Sequence, residues 1–317
     1  MLRRRLRSAV VQGLPAPLGA PLAVLYGGAL VLRNAFCRPA ERAAVPVICI
    51  GNLTTGGTGK TPATVWVAEF LKRSGRKPAV LLRGYGGDEG PLLGRLLPGT
   101  PVIEDADRVR GAACALAAGA DVVVMDDGFQ HRRLERDLDI VLVDATDPFG
   151  GGHLLPWGRL REPREALGRA GAVVITRADQ VPTGVLEGIR QTVSRLAPEA
   201  VLAEAVHRPL VEEVLAGRKI LAACGIGNPG AFRRTLEVLG AQVTLRPLPD
   251  HHAWTEADVA LVNAAAKGMD TVMVTEKDWV KLEAIPAASG WKVLKIRLEV
   301  TAGREALEGR ILAACTI

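Results

Sequence analysis

A chain of 317 residues with 48% hydrophobic and 23% charged residues has the composition of a globular protein with a full core, which excludes an intrinsically disordered chain. The formal net charge of +6 points to an anionic partner such as phosphate, nucleic acid or acidic lipid, while aromatic residues at only 4% argue against broad base-stacking surfaces. The five cysteines (Cys37, Cys49, Cys114, Cys224, Cys315) are scattered and lack CxxC spacing, which argues against a disulfide framework or a zinc site and suits a reducing compartment.

The chain opens with Arg3, Arg4, Arg5 and Arg7, followed by a stretch from Ser8 to Leu32 without formal charge. Pro15, Pro17 and Pro21 interrupt this stretch, so only Leu22 to Leu32 reads as continuous apolar sequence. A spanning helix needs roughly 20 apolar residues, so the segment is expected to lie in a membrane interface with its arginines on anionic head groups, rather than to cross. A buried structural helix and a cleaved secretory signal are the competing readings.

From Val45 onward, short runs rich in Val, Ile and Leu alternate with helical stretches: VPVICI, PAVLLR, DVVVMD, DIVLVD and AVVITR, with helices expected over 60–74 and 106–118. Continuous apolar strands of this length belong to parallel sheets covered on both faces, and the βαβ rhythm is that of a doubly wound fold. A second series follows, KILAACGI, AQVTLRPL and TVMVTE, with helices expected over 229–239 and 255–267. The resulting expectation is an α/β protein: a P-loop NTPase-like, doubly wound, mostly parallel sheet with a second, smaller α/β lobe joined by a two-stranded hinge. The domain plan is residues 1–40 as a membrane-associating helix region, 41–200 as a P-loop core, 201–210 and 291–300 as hinge strands, and 211–290 as the C-terminal lobe. Ligands commonly bind in the cleft of such a two-lobed arrangement.

The strongest chemical signal is a strand, a glycine loop and a helix in VPVICIGNLTTGGTGKTPATVWVAEFL. Gly56, Gly57 and Gly59 allow the positive φ values and close backbone approach by which amides surround phosphate oxygens. Lys60 reaches the β- and γ-phosphates and Thr61 offers its hydroxyl to Mg²⁺, with the helix N-terminus aimed at the same anion. The ATP-binding segment is therefore Thr54, Thr55, Gly56, Gly57, Thr58, Gly59, Lys60 and Thr61, although Thr54 stands where the strict pattern has glycine. Downstream, DVVVMDDGFQH puts Asp126 and Asp127 at a strand's C-terminal end, where a P-loop enzyme needs a carboxylate for its metal. VVITRAD resembles the NKxD element that reads guanine in GTPases, but Thr176 and Arg177 replace its Asn and Lys.

Taken together, GNLTTGGTGKTP, RGYGG followed by DE, MDDGFQHRRLERDLDIVLVDA, LLPWGRLREP, GIGNPGAF, LPDHHAWT and VTEKDWVKL resemble the tetraacyldisaccharide 4′-kinase family over nearly the whole chain. The resemblance implies a monotopic enzyme on the cytoplasmic face of the inner membrane, with two α/β/α lobes. It would transfer the γ-phosphoryl of ATP to the 4′-hydroxyl of a tetraacylated glucosamine disaccharide 1-phosphate, the lipid A precursor, using Mg²⁺. It also implies Asp88 as catalytic aspartate with His251 as its partner, and Asp88 taking or guiding the proton. Glu89 would lie near the metal with Asp126 and Asp127, and Arg161 and Glu162 would face the disaccharide. The anionic membrane surface is an expected partner; nucleic acid and an obligate protein partner are not. Two segments depart from the family pattern: the GYG and GDEP elements are nearly fused, with Gly90 before Pro91, and Trp157 and Arg159 are substituted within LLPWGRLREP.

Two other functions compete. Partitioning or metal-insertion ATPases share GGTGKT, but they usually carry a further lysine early in the loop, where Leu53 to Thr55 have none. A non-enzymatic membrane or nucleic-acid binder is supported by the basic charge alone.

Overall fold

The computed structural model describes residues 13–36, 39–84, 87–210 and 214–316. Arg3, Arg4, Arg5, Arg7, Cys37 and the Tyr85–Gly86 part of RGYGG lie outside the described residues. The chain divides into two compact units: the first holds the residues up to Gly84, Leu93–His207 and those from Leu298 on, and the second holds the segment ending at Leu92 together with Arg208–Arg297.

The first unit is built on parallel strands β1 (Val47–Asn52), β2 (Pro78–Leu82), β3 (Val102–Glu104), β4 (Val122–Asp126), β5 (Leu138–Asp144), β6 (Ala172–Thr176) and β7 (Val201–Leu210, in this unit as far as His207), ordered β3-β2-β4-β1-β5-β6-β7. Successive side chains of a strand point to opposite faces. Ile48 and Ile50 of β1 accordingly pack with Trp66, Val67, Phe70 and Leu71 of helix α2 (Lys60–Arg73), while Val47 and Cys49 pack on the other face with Ala112 and Ala115 of a helix at Arg108–Ala117. Both faces are thus covered, which is why these strands read as unbroken apolar runs. The C-terminal helix Arg304–Ala314 closes the α2 face with Leu307 and Ile311, an element that the sequence reading does not supply.

The second unit has its own parallel set, β11 (Lys292–Ala302, in this unit as far as Arg297), β10 (Thr271–Thr275), β8 (Lys219–Cys224) and β9 (Gln242–Pro247), in the order β11-β10-β8-β9. Its helices include Pro229–Val238, Glu256–Ala265 and a short one at Glu276–Leu282. Both units are α/β, and the sheet architecture is mostly parallel with one antiparallel pair.

Helix α1 (Ala16–Ala35) corrects the reading of the first prolines: it is one continuous helix of 20 residues, long and apolar enough by length and composition to cross a membrane. Pro15 is its N-cap and Pro17 lies in its first turn, where a missing N–H costs nothing. Only Pro21 lies inside, near enough to the start to give up a single backbone bond. Gly19, Ala23 and Leu30 are buried, whereas Leu18, Leu22, Val24, Leu25, Val31 and Leu32 are exposed.

Candidate functional site

The phosphate loop follows β1, whose neighbours are β4 and β5, so the C-terminal end of β4 lies beside the loop. Gly59 ends the loop at φ 94 as the N-cap of α2, a left-handed conformation that favours glycine; a Cβ there would also lie 2.7 Å from His207 Nε2. No side chain caps α2, so its first amides and the positive end of its dipole remain directed at the loop. The loop is anchored from outside. Asn52 Nδ2 donates to Thr58 Oγ1 at 2.9 Å, Thr176 Oγ1 to the Thr58 carbonyl at 2.9 Å, and Arg177 Nη2 to the Gly57 carbonyl at 2.9 Å. On its other side, Thr54 bridges Leu160 and the Thr55 amide donates to the Arg159 carbonyl at 2.8 Å.

Asp126 is buried at the end of β4, and Asp127 follows in a left-handed turn at φ 50. Lys60 Nζ stands 3.7 Å from Asp127 Oδ1, and Arg161 Nη1 donates to the same oxygen at 2.7 Å. Burial pushes the Asp127 carboxyl up, but the charges of Lys60 and Arg161 outweigh it and hold it down at about 2. Gln130 ties the group together, accepting from Arg161 at 3.3 Å and donating to the Asn52 carbonyl at 2.9 Å. Buried Arg108 adds positive charge that further lowers Asp127. Among the described residues no group of three or more His, Cys, Asp or Glu side chains is arranged to hold an ion alone. Thr61, Asp126 and Asp127 are hard oxygen donors, and Mg²⁺ commonly takes one or two carboxylates and completes its shell with phosphate oxygens and water, so the donor set fits it.

Arg161 and Glu162, adjacent in sequence, are held apart in role. Arg161 reaches Asp127, whereas the buried Glu162 accepts from Arg33 at 3.0 Å and from Arg169 at 2.7 Å. Both Glu162 oxygens are therefore engaged within the chain, fastening α1 to the LLPWGRLREP segment. Tyr26 donates to the Arg161 carbonyl at 3.0 Å along the same seam, and Gly19 sits so close to Trp157 that a Cβ would come within 2.8 Å of its Cα.

The second unit gathers Asp88, Glu89, Asp250, His251, Lys277 and Lys281. The Asp88 side chain is fully buried; its Oδ1 faces His251 Nδ1 at 3.0 Å and its Oδ2 accepts from Lys281 at 2.9 Å. Lys277 Nζ lies 3.1 Å from His251 Nε2, 3.6 Å from Glu89 and 3.8 Å from Asp250. An ammonium only donates, so Nε2 is the accepting nitrogen and Nδ1 carries the proton given to Asp88. Burial raises the Asp88 carboxyl, but the hydrogen bonds from His251 and Lys281 and the charge of Lys277 prevail and hold it well below the usual carboxylate range.

Asp278 sets this geometry from beneath. It is fully buried and accepts from the Gly225 amide, Trp254 Nε1 and Thr275 Oγ1 at 2.9, 2.9 and 2.6 Å. Three motifs, GIGNP, HHAW and TEKD, thus converge on one carboxylate. Gly225 must be glycine for the approach, since a Cβ would come within 2.9 Å of His252 Cβ, and its carbonyl accepts from the His251 amide at 3.1 Å. His251 adopts φ 56 there, while neighbouring His252 is engaged by Asp258 at 3.0 Å. His251, not His252, faces Asp88.

The sequence reading singles out Asp88, His251, Lys60, Asp127 and Arg161, and the structure brings them into these two clusters. It assigns no role to Lys281 or Arg108. The spacing of Lys277 and Lys281, one helical turn apart in EKDWVKL, is the signal that points to the former.

A family model described as tetraacyldisaccharide-1-P 4′-kinase matches residues 15–90 and 86–316. A tetraacyldisaccharide 4′-kinase from Anaeromyxobacter sp. (strain K) is 42% identical, over 95% of this chain and 93% of its own length. One from Pseudomonas aeruginosa (strain LESB58) is 39% identical, over 90% of this chain and 91% of its own. The crystal structure of LpxK from Aquifex aeolicus in complex with ATP is similar with a TM-score of 0.70 at 28% identity, covering 93% of this chain and 98% of that one.

Proposed function

The chain belongs to the tetraacyldisaccharide-1-P 4′-kinase family, and from that premise we infer that it transfers the γ-phosphoryl group of ATP to the 4′-hydroxyl of a tetraacylated glucosamine disaccharide 1-phosphate, the precursor of lipid A. Its cofactors are ATP and Mg²⁺. The observation that carries the reading is the phosphate loop at the end of β1, with Lys60 3.7 Å from Asp127 at the end of neighbouring β4.

Phosphoryl transfer asks a protein for alignment and for neutralisation of charge on the phosphates. When bound, Mg²⁺ supplies part of that neutralisation. Thr61, Asp126 and Asp127 are the residues of the first unit that would hold it. The loop from Thr54 to Thr61 wraps the phosphates, and Lys60, leaving Asp127, places its ammonium on them. Arg161 keeps Asp127 ionised and fixed as Lys60 departs.

The acceptor hydroxyl must lose a proton. Asp88 has both oxygens engaged and no exposure, whereas His251 is 23% exposed and presents Nε2 to Lys277. That arrangement favours His251 as the group that takes the proton, with Asp88 orienting the ring and stabilising its charged form. Lys277 has Glu89 and Asp250 within 4.0 Å as other partners, so it can release Nε2 without leaving the cluster.

Helix α1 serves as a monotopic anchor on the cytoplasmic face of the inner membrane. In support, one side is fastened to the first unit through Gly19, Tyr26 and Arg33, and the opposite side exposes Leu18, Leu22, Val24, Leu25 and Leu32. A helix held along its length has one apolar strip for lipid, which suits lying in the interface. The arginines at the chain start suit an anionic surface.

Incubation with γ-labelled ATP and the disaccharide 1-phosphate lipid in detergent micelles gives a doubly phosphorylated product, and Lys60→Ala slows its formation about 10²- to 10³-fold. ATP hydrolysis without label in the lipid would instead favour a partitioning-type ATPase.

A further inference from the structure

We propose that the turn after β6, Thr176–Arg177, together with His207 of β7, holds the phosphate loop in its nucleotide-gripping shape, which makes Thr176 and Arg177 positioning residues for phosphoryl transfer. This rests on the reading that the loop between β1 and α2 binds ATP.

The loop contains Gly56 at φ 112 and Gly59 at φ 94, and glycines lose more conformational freedom on ordering than any other residue. An anion site of backbone amides works only if those amides point inward before the ligand arrives. Asn52 holds the Thr58 hydroxyl, and Leu160 and Arg159 hold Thr54 and Thr55, which leaves residues 57–59 to be restrained from their outer, carbonyl side. The structure places three contacts there. The Thr176 hydroxyl, fully buried, donates to the Thr58 carbonyl at 2.9 Å. The Arg177 guanidinium, also buried, donates to the Gly57 carbonyl at 2.9 Å and is ion-paired with Asp144 at the end of β5. The His207 ring lies against Gly59 so closely that no side chain fits between them, and its Nε2 has no hydrogen-bond partner. The imidazole is there as a wall. Consecutive residues 57, 58 and 59 are therefore each held from behind, by the end of β6 and by His207 of the adjacent strand β7.

Arg177 adopts φ 55, a conformation with a real cost for a residue bearing a side chain. The left-handed turn lets the strand end send two successive side chains, Thr176 and Arg177, to the same loop. The resemblance of VVITRAD to a guanine-reading element thus has a different meaning: its first two polar residues face the phosphate loop's carbonyls. Asp179 of the same motif is exposed.

The test uses the full chain in mixed micelles, with separate titrations of ATP and of the disaccharide lipid, and binding of a non-hydrolysable ATP analogue. Thr176→Val keeps shape and charge and removes only the donor. It is expected to raise both the KM for ATP and the analogue Kd about three- to tenfold, as for one buried neutral hydrogen bond, with the KM for lipid unchanged. Thr176→Ser, which restores the hydroxyl, returns both to wild type. Arg177→Met is expected to weaken ATP more than tenfold, with partial rescue by Arg177→Lys. A purely structural role would lower the melting temperature and leave the ATP constants unmoved below it. ATP constants of Thr176→Val within twofold of wild type would overturn the brace. Should Arg177→Met fail to fold with Asp144 left unbalanced, the Thr176 pair decides. Failure of the underlying reading is distinct, since wild type itself would then bind no analogue.

Discussion

The phosphate loop of the first unit and the Asp88 cluster of the second hold charge by opposite means. The loop relies on backbone amides and a helix end supplied by one contiguous stretch, 54–61, with a single lysine added. The cluster relies entirely on side chains, and its partners are remote in sequence: Asp88 is 163 residues from His251 and 193 from Lys281. A backbone site shares its load among many donors. A side-chain site concentrates it, so the cluster is the more brittle of the two.

The sharpest way to break this comparison is to remove one member from each side. His251→Ala and Asp88→Asn are each expected to lower kcat about 10²- to 10⁴-fold, the range of a lost proton-transfer group. Because the two act as one unit, the double variant should lose little more than either single; full additivity in single-turnover rates would show that they act separately. Lys60→Ala is expected to cost about 10²- to 10³-fold in kcat, with analogue binding retained in part by the amides. Complete loss of binding would mean that the loop is no more distributed than the cluster.

Lys281→Met probes the cluster more gently. It leaves the buried Asp88 carboxylate one charged hydrogen bond short while His251 remains, so stability should fall by about 1.5–3 kcal/mol and kcat by about tenfold. Urea midpoints and initial rates measured together would reveal whether the two losses track.

Acid stability separates the regions again. Burial and the nearby Arg177 charge pull His207 down to about 3 from an ordinary 6.5. Between those values the unfolded chain takes a proton that the folded chain refuses, so stability rises with pH there and falls by about 1.4 kcal/mol for each unit of acidification below 6.5. His131, lowered by burial and by Arg108, acts in the same direction. Asp127, held at about 2, contributes stability that is lost only as pH falls from its ordinary 3.8 through that value, a window lower than most of the histidine one. His207→Leu should flatten the slope of urea midpoint against pH between 6.5 and 4. The smallest expected effect is at Arg42, whose exposed pair with Glu135 at 3.0 Å should be worth less than about 1 kcal/mol by a double-mutant cycle.

What the sequence made legible follows from the same contrast. The loop, Lys60, Thr61 and the Asp126–Asp127 pair could be read from the residues because strand, glycines and helix are consecutive, and the parallel sheet could be read because doubly covered strands are apolar throughout. Asp88 and His251 were legible only through family likeness, since no local pattern links residues so far apart. The converging bonds on Asp278 exist only after folding. Helix α1 was misread in extent because prolines at a helix start look like breaks when counted along a line. The fastening of Glu162 between Arg33 and Arg169 was not legible either, since LREP reads as one motif while its adjacent side chains diverge on folding.

That fastening has a practical consequence. The segment from Leu154 to Glu162 carries α1 on one edge, through Arg33, Tyr26 and the Leu14–Pro156 backbone bond, and grips the phosphate loop with the other, through Leu160, Arg159 and the Arg161–Leu53 bond. Clipping the helix to make the enzyme easier to purify would strip the backing from the strip of chain that shapes the nucleotide cradle. A truncated, detergent-free version should therefore be expected to handle ATP poorly, and its sluggishness should not be blamed on the missing bilayer alone.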